Sequence, residues 1–230
     1  MQTDFQMTGQ GTRELALRQN RVLRNTYLLL ALSMVPTLFG ALAGIQMGFT
    51  FLAGSPFMGF MLFLGIAWGF MYGIERTKDN GWGVALLLGF TFFMGLMLSR
   101  TLQVALGFSN GGSLIAMAAG GTGAIFFTLS AVATVSKRDF SGLGKFLFVG
   151  MVVVLLAAVA NIFLQIPALA LAVSAAVVMV FSAYILHDVS RIVHGGETNY
   201  IVATLAVYLD LYNVFVGLLN LLMALSGDRD

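Results

Sequence analysis

The chain has 230 residues, 59% apolar and only 10% charged, with 12 basic against 10 acidic side chains and a mean hydropathy of +0.92. Soluble domains carry about 25% charged residues, so the composition excludes a water-soluble globular domain and specifies an integral membrane protein. Without a cysteine, disulfides, thiolate metal sites and cysteine nucleophiles are excluded too.

Residues 1–24 are polar and hold Arg13, Arg18, Arg21 and Arg24 beside Asp4 and Glu14. They lack the short apolar core and small-residue cleavage site of a secretory leader. The expectation is a polar cytoplasmic tail over 1–24, frayed at its start and helical towards Arg24. A single membrane domain over 25–230 follows it. Seven apolar runs are expected at 25–47, 51–74, 82–99, 112–135, 145–165, 168–187 and 201–225, each near the roughly 20 residues that span the hydrocarbon as a helix. The fold class is therefore all-α, a polytopic seven-helix bundle. Pro167 marks a tight break between the fifth and sixth runs, which makes those helices antiparallel neighbours.

With the N-terminus inside, Arg13, Arg18, Arg21, Arg24, Arg76, Lys78, Lys137, Arg138, Lys145 and Arg191 fall on the cytoplasmic side, leaving Arg100 and Arg229 outside. The positive-inside rule then gives N-in and C-out. A re-entrant run would instead return the C-terminus to the cytoplasm. Gly40, Gly44 and Gly48 repeat every four residues, as do Gly65, Gly69 and Gly73, and Ala116, Gly120 and Ala124. Small residues at this spacing let helix backbones approach closely in lipid, within one chain or between two copies.

The last run carries Asp210 far inside it, and a carboxyl there is costly unless protonated, paired or wetted. On a helix, Ala203, Ala206, Asp210, Asn213, Gly217 and Asn220 form one stripe of polar and small residues. A helix so striped faces protein or water, and is expected to be the element the others surround. Asp188 ends the sixth run, beside His187 and ahead of Arg191, His194 and Glu197. Two carboxyls on consecutive antiparallel helices can share a proton and titrate as a unit. They would form a pH-sensitive latch, with Arg76 and Arg191 as candidate counter-ions and Asn213, Gly217 and Asn220 as candidate path lining. Ionised, the same oxygens of Asp188 and Asp210 are hard ligands suited to Ca2+ as a transported ion; no resident cofactor is implied. The plainer alternative makes Asp188 an interfacial residue near Arg191 and Asp210 a structural acid. On the depth of the last run, the two acids meet only if that helix starts above the interface.

His187, Asp188, His194 and Glu197 straddle a helix end and a Gly195-Gly196 turn without a metal-binding frame, and read as a solvated loop. Asn161 and Gln165 read as satisfying local backbone. Paired aspartates also serve intramembrane proteases, but the Gly-x-Gly-Asp frame of those enzymes is missing before Asp210. No Ser/His pairing, phosphate loop or nucleic-acid surface is visible, so no enzyme is expected.

YILHDVSRI at 184–192 followed by GGETNYIVATLAVYLDLYNVFVGLL at 195–219 resembles the signature end of the Bax inhibitor-like membrane proteins. VLRNTYLLLALS at 22–33, ANIFLQIPAL at 160–169 and HGGETNY at 194–200 are similar to its bacterial YccA-type branch. The resemblance implies six helices around a central seventh in the inner membrane. It also implies an aspartate pair, at positions matching Asp188 and Asp210, that senses pH and gates a Ca2+ leak. For the YccA-type branch it implies a different role, restraint of the membrane AAA protease FtsH. The implied partners are the bilayer, cations and the FtsH complex, with the oligomeric state open.

Overall fold

The computed structural model of the chain describes residues 2–49, 55–136 and 138–227. Lys137, Arg229 and the first residues of the second expected run lie outside the described residues. Seven helices, with no strand among the described residues, follow in order: α1 Gln2–Gln46, α2 Pro56–Thr77, α3 Gly81–Leu106, α4 Gly111–Val135, α5 Gly144–Leu164, α6 Pro167–Val193 and α7 Tyr200–Ser226. Each contains a segment long and apolar enough to cross a membrane. Even α5, with 21 residues, reaches about 31 Å at 1.5 Å per residue, against a hydrocarbon core of about 30 Å.

Local chemistry sets the helix ends. Pro56 and Pro167 open α2 and α6, positions where a missing N–H costs nothing. The Asn80 side chain caps α3 by accepting the Trp82 N–H at 3.0 Å. Asn199 caps α7, accepting the N–H groups of Ile201 and Val202. Between α5 and α6, Asn161 Oδ1 accepts the Ile166 N–H at 2.9 Å, the local backbone service its position suggests, while Gln165 takes a left-handed conformation at φ 54°.

Three helices outrun their apolar runs, α3 by continuing past residue 99 to Leu106. α1 is continuous from Gln2, so helix extends well before the first apolar run. α6 continues past Asp188 to Val193, because Ile185, Val189 and Ile192 keep a buried stripe at helical spacing, with Asp188 at its edge and Arg191 off it. Hydropathy alone ends the run too soon.

The links gather at two ends. Asn199 donates from Nδ2 to the Lys78 carbonyl at 3.0 Å, joining the α6–α7 and α2–α3 links. The Phe140 N–H reaches Ser190 Oγ at 2.9 Å, tying the α4–α5 link to α6, and Gly195 lies against Gln19 of α1. Arg18, Arg21, Arg24, Arg76, Lys78, Arg138, Lys145 and Arg191 therefore share one end of the bundle, and Arg100 lies towards the other.

α1 and α3 cross with their backbones almost touching. A Cβ on Gly40 would strike the Phe92 carbonyl, one on Gly44 would strike Ser99, and one on Gly95 would strike the Thr37 carbonyl. These glycines pack within the chain. Gly65, Gly69 and Gly120 instead have open space where a Cβ would stand. The core lies along α7, which packs on α1, α2, α3, α4 and α6 and has no exposed residue from Ile201 to Met223.

Candidate functional site

α7 is held to its neighbours through hydroxyls. The Tyr208 hydroxyl lies 2.9 Å from Thr37 Oγ1 of α1 and donates to the Thr91 carbonyl of α3 at 3.4 Å. Thr37 in turn donates to the Ser33 carbonyl at 2.8 Å, so the tyrosine's single proton serves both Thr37 and the Thr91 carbonyl. Thr204 donates to its own helix at Tyr200 and approaches the Thr26 carbonyl of α1 at 3.3 Å. The phenol also packs edge-on to Phe90, centroids 6.4 Å apart. The sequence reading passed over Tyr208; its only signal is the series of isolated hydroxyls in otherwise apolar runs.

The opposite side of α7 carries the polar and small-residue stripe, and it lies along α6. At Gly217 a Cβ would stand 2.8 Å from Val178 Cγ2 and 3.1 Å from the Ser174 carbonyl, so only glycine allows this approach. Asn213 donates to the Leu209 carbonyl of its own helix at 2.8 Å. Asn220 lines a cavity of about 660 Å³ with Pro167, Ala170 and Ser174 of α6 and Val104 and Phe108 at the end of α3. Of the three candidate lining residues, Asn220 faces open space, Asn213 is turned onto its backbone and Gly217 is shut against α6.

The Asp188 and Asp210 side chains lie near each other across α6 and α7, and a hydrogen bond between the two carboxyls would require a proton on one of them. Asp210 is buried, at 4% exposure, and its Oδ2 has no hydrogen-bond partner. Asp188 sits five residues before the end of α6, Asp210 ten after the start of α7.

Asp188 Oδ1 is 3.7 Å from His187 Nε2 and 3.9 Å from Arg191 Nη1. Arg191 also reaches Glu197 Oε2 at 3.6 Å and the Gly196 carbonyl at 3.5 Å, spanning the acid and the α6–α7 link. Arg76 takes no such place: its guanidinium lies 5.5 Å over the Tyr72 ring of its own helix. His187 is fixed from three sides. Its Nδ1 faces the Phe140 carbonyl at 3.2 Å, its ring lies against Gly144, and Tyr184 packs edge-on at 6.2 Å. Tyr184 stands one turn before Asp188. That i, i+4 spacing was legible in YILHD and went unread.

His194 and Glu197 are drawn into separate local bonds. His194 Nδ1 bonds the Ser190 carbonyl at 2.9 Å, and Glu197 Oε1 accepts the N–H groups of Thr198 and Asn199. Among the described residues no three or more His, Cys, Asp or Glu side chains converge as a metal cluster.

Comparison with known proteins fits this geometry. The family model described as inhibitor of apoptosis-promoting Bax1 matches residues 19–227. An uncharacterized protein of Neisseria meningitidis is 42% identical over 91% of this chain and 93% of its own length. The modulator of FtsH protease YccA of Escherichia coli is 42% identical over 92% of this chain and 94% of its own. An uncharacterized membrane protein of Vibrio cholerae is 37% identical over 94% of both. With seven apolar helices and relatives of this kind over nearly its full length, the chain is a multi-pass inner-membrane protein and belongs to the Bax inhibitor-like family.

Proposed function

We propose that the chain is a proton-latched cation leak, held closed where Asp188 and Asp210 share a proton between α6 and α7. The observation that carries this is a deeply buried carboxyl on α7 with a second acid near it on the neighbouring helix. The basic end of the bundle is the cytoplasmic end, which makes the protein N-in and C-out, and α7 is the axis around which the other helices stand. Arg191 is the counter-ion at the mouth. The route runs down the α6 side of α7, past Asn213 and Gly217 to the Asn220 cavity. From Asp210 to Gly217 it is closed over about 10 Å, and opening requires α6 and α7 to part.

Ca2+ takes six to eight oxygen ligands. Two carboxyls fall short of that, so the ion is a passenger that keeps waters and not a resident metal. An O–H···O⁻ bond is stronger than a neutral one, so either losing the shared proton or adding a second weakens the latch. Ca2+ flux in proteoliposomes should then pass through a minimum with pH. Asp210→Asn keeps a donor facing Asp188 at every pH, so the rise in flux at high pH should be lost while the rise on protonation of Asp188 at low pH remains. Equal profiles for variant and parent would sink this reading.

A second role has its own support in the 42% identity to YccA, the FtsH modulator, over 92% of the chain. Here the chain binds the FtsH complex, and the polar helical segment 2–24 is what a cytoplasmic unfoldase grasps. FtsH should co-purify with the chain, and deleting residues 2–18 should lengthen its lifetime in cells holding the protease. An unchanged lifetime with no co-purification removes this role and leaves the leak untouched.

A further inference from the structure

A cleft of about 580 Å³ separates α1 from α4, with α7 as its floor. It runs from Tyr27 to Leu38 on α1 and from Ser130 to Ala119 on α4, twelve residues on each, or about 16 Å for the eleven steps at 1.5 Å per residue. That is about half of a hydrocarbon core of roughly 30 Å, the depth of one leaflet. Leu38 and Phe127 on its rim are 63% and 72% exposed, so it opens sideways into lipid.

Its two ends differ. Towards Leu38 and Phe215 it is apolar. At the basic end of the bundle the buried Tyr27 and Ser130 hydroxyls lie near each other, but neither makes a hydrogen bond of good geometry. Ser130 as a whole is only 7% exposed. Buried polar groups are almost always satisfied, so this end asks for an acceptor from outside the chain. Arg24, exposed one turn before Tyr27, stands on the same face of α1, at the level where a lipid headgroup meets the cleft.

We propose that the α1–α4 cleft binds one acyl chain of a phospholipid, with the lipid's ester carbonyl taken by the Tyr27 and Ser130 hydroxyls and its phosphate by Arg24. An ester carbonyl is an acceptor without a proton, which suits two idle hydroxyl donors. The acyl chain fills the apolar part and lies against Tyr208, Leu211 and Phe215 of α7. The site is separate from the acid pair and independent of its role.

The test uses the full chain in vesicles of phosphatidylethanolamine and phosphatidylglycerol, doped with phosphatidylglycerol carrying a diazirine on its acyl chain. Cross-links are mapped by mass spectrometry. α5 is the bulk-lipid reference, because Phe148, Val149 and Phe163 are all more than half exposed. Labelling of 27–38 and 119–130 should exceed that of α5 at least threefold per exposed residue. Gly123 lines the cleft with open space where a Cβ would stand, so Gly123→Phe should fill it. The excess should then vanish while α5 labelling stays unchanged. Ala119→Phe serves the same purpose should the first variant not fold. The Tyr27→Phe, Ser130→Ala double variant should lower the excess at least twofold. Labelling at the α5 level in the parent, as water or a second copy of the chain in the cleft would produce, overturns the proposal. So does an excess that survives both plugging variants.

Discussion

Helices α5 and α7 stand in opposite relation to their own apolarity. The most apolar window of α5 has a mean hydropathy of 2.8 with 6% of its residues buried, while that of α7 reaches 1.8 with half buried. In water the more apolar helix would be the core. In lipid, hydrocarbon is as good a neighbour as leucine, so association rests on packing and interhelical hydrogen bonds. α7 supplies both, with Gly217 closing on α6 and Tyr208, Thr204 and Asp210 reaching other helices. α5 offers little beyond side chains that lipid accepts. Polarity and smallness, not hydropathy, direct burial here.

The largest test sets a ring in α7 against one in α5. Tyr208 is 1% exposed and Phe148 57%. Tyr208→Ala opens a void among α1, α3 and α7 and should cost about 3 kcal/mol in reversible unfolding in mixed micelles. Phe148→Ala should stay within about 0.5 kcal/mol. Equal losses would break the comparison.

A second test uses two glycines facing the same partner. Gly217 and Gly150 both look onto α6, but a Cβ at Gly150 meets Val180 Cγ2 at an ordinary 3.5 Å, against 2.8 Å from Val178 at Gly217. Gly217→Leu should destabilise by about 1–3 kcal/mol. Gly150→Ala should stabilise by about 0.5–1 kcal/mol, because alanine is the better helix residue. Loss at both positions would place α5 in the core after all.

Tyr208→Phe then divides the first effect into volume and hydrogen bonding. It keeps the ring and removes the bonds to Thr37 and Thr91, while Thr37 keeps its bond to Ser33. Interhelical hydrogen bonds in membranes average about 0.6 kcal/mol, so the loss should be about a fifth of that for Tyr208→Ala. A loss approaching the alanine variant's would make α7 a helix held by polarity alone.

What the sequence disclosed follows the same physics. Seven spans and the polar stripe were legible, because hydropathy and helical periodicity are local properties. So were Asp188 and Asp210 as a pair worth weighing, since an acid in an apolar run is conspicuous. Their proximity was not, because it depends on the offset between α6 and α7, and hydropathy ended α6 at His187 when the Ile185, Val189 and Ile192 stripe carries it to Val193. Arg76 and Arg191 looked interchangeable as counter-ions. Helix direction separates them: Arg191 falls one turn after Asp188, while Arg76 falls one turn after Tyr72 and lies over it. The stripe identified one buried face of α7, but the second, Thr204, Val207 and Tyr208, reads as ordinary apolar sequence.

The smallest effect concerns the link through which α5 is attached to the rest. Asp139 lies in the α4–α5 connection and accepts the Ser141 N–H at 2.8 Å. Ser190 Oγ donates to it at 3.3 Å, and His194 Nδ1 lies at 3.7 Å. The Ser141 backbone bond, first among these, holds the Asp139 carboxyl below the usual carboxylate range. A carboxyl depressed on folding contributes stability that is present above its unfolded value, near about 3.9, and is lost as pH falls through the lower folded value. Asp139→Ala should therefore lower the melting temperature slightly and by a constant amount above about pH 4, and the gap from the parent should close below it. A gap that widened on acidification would reverse the sign of the argument.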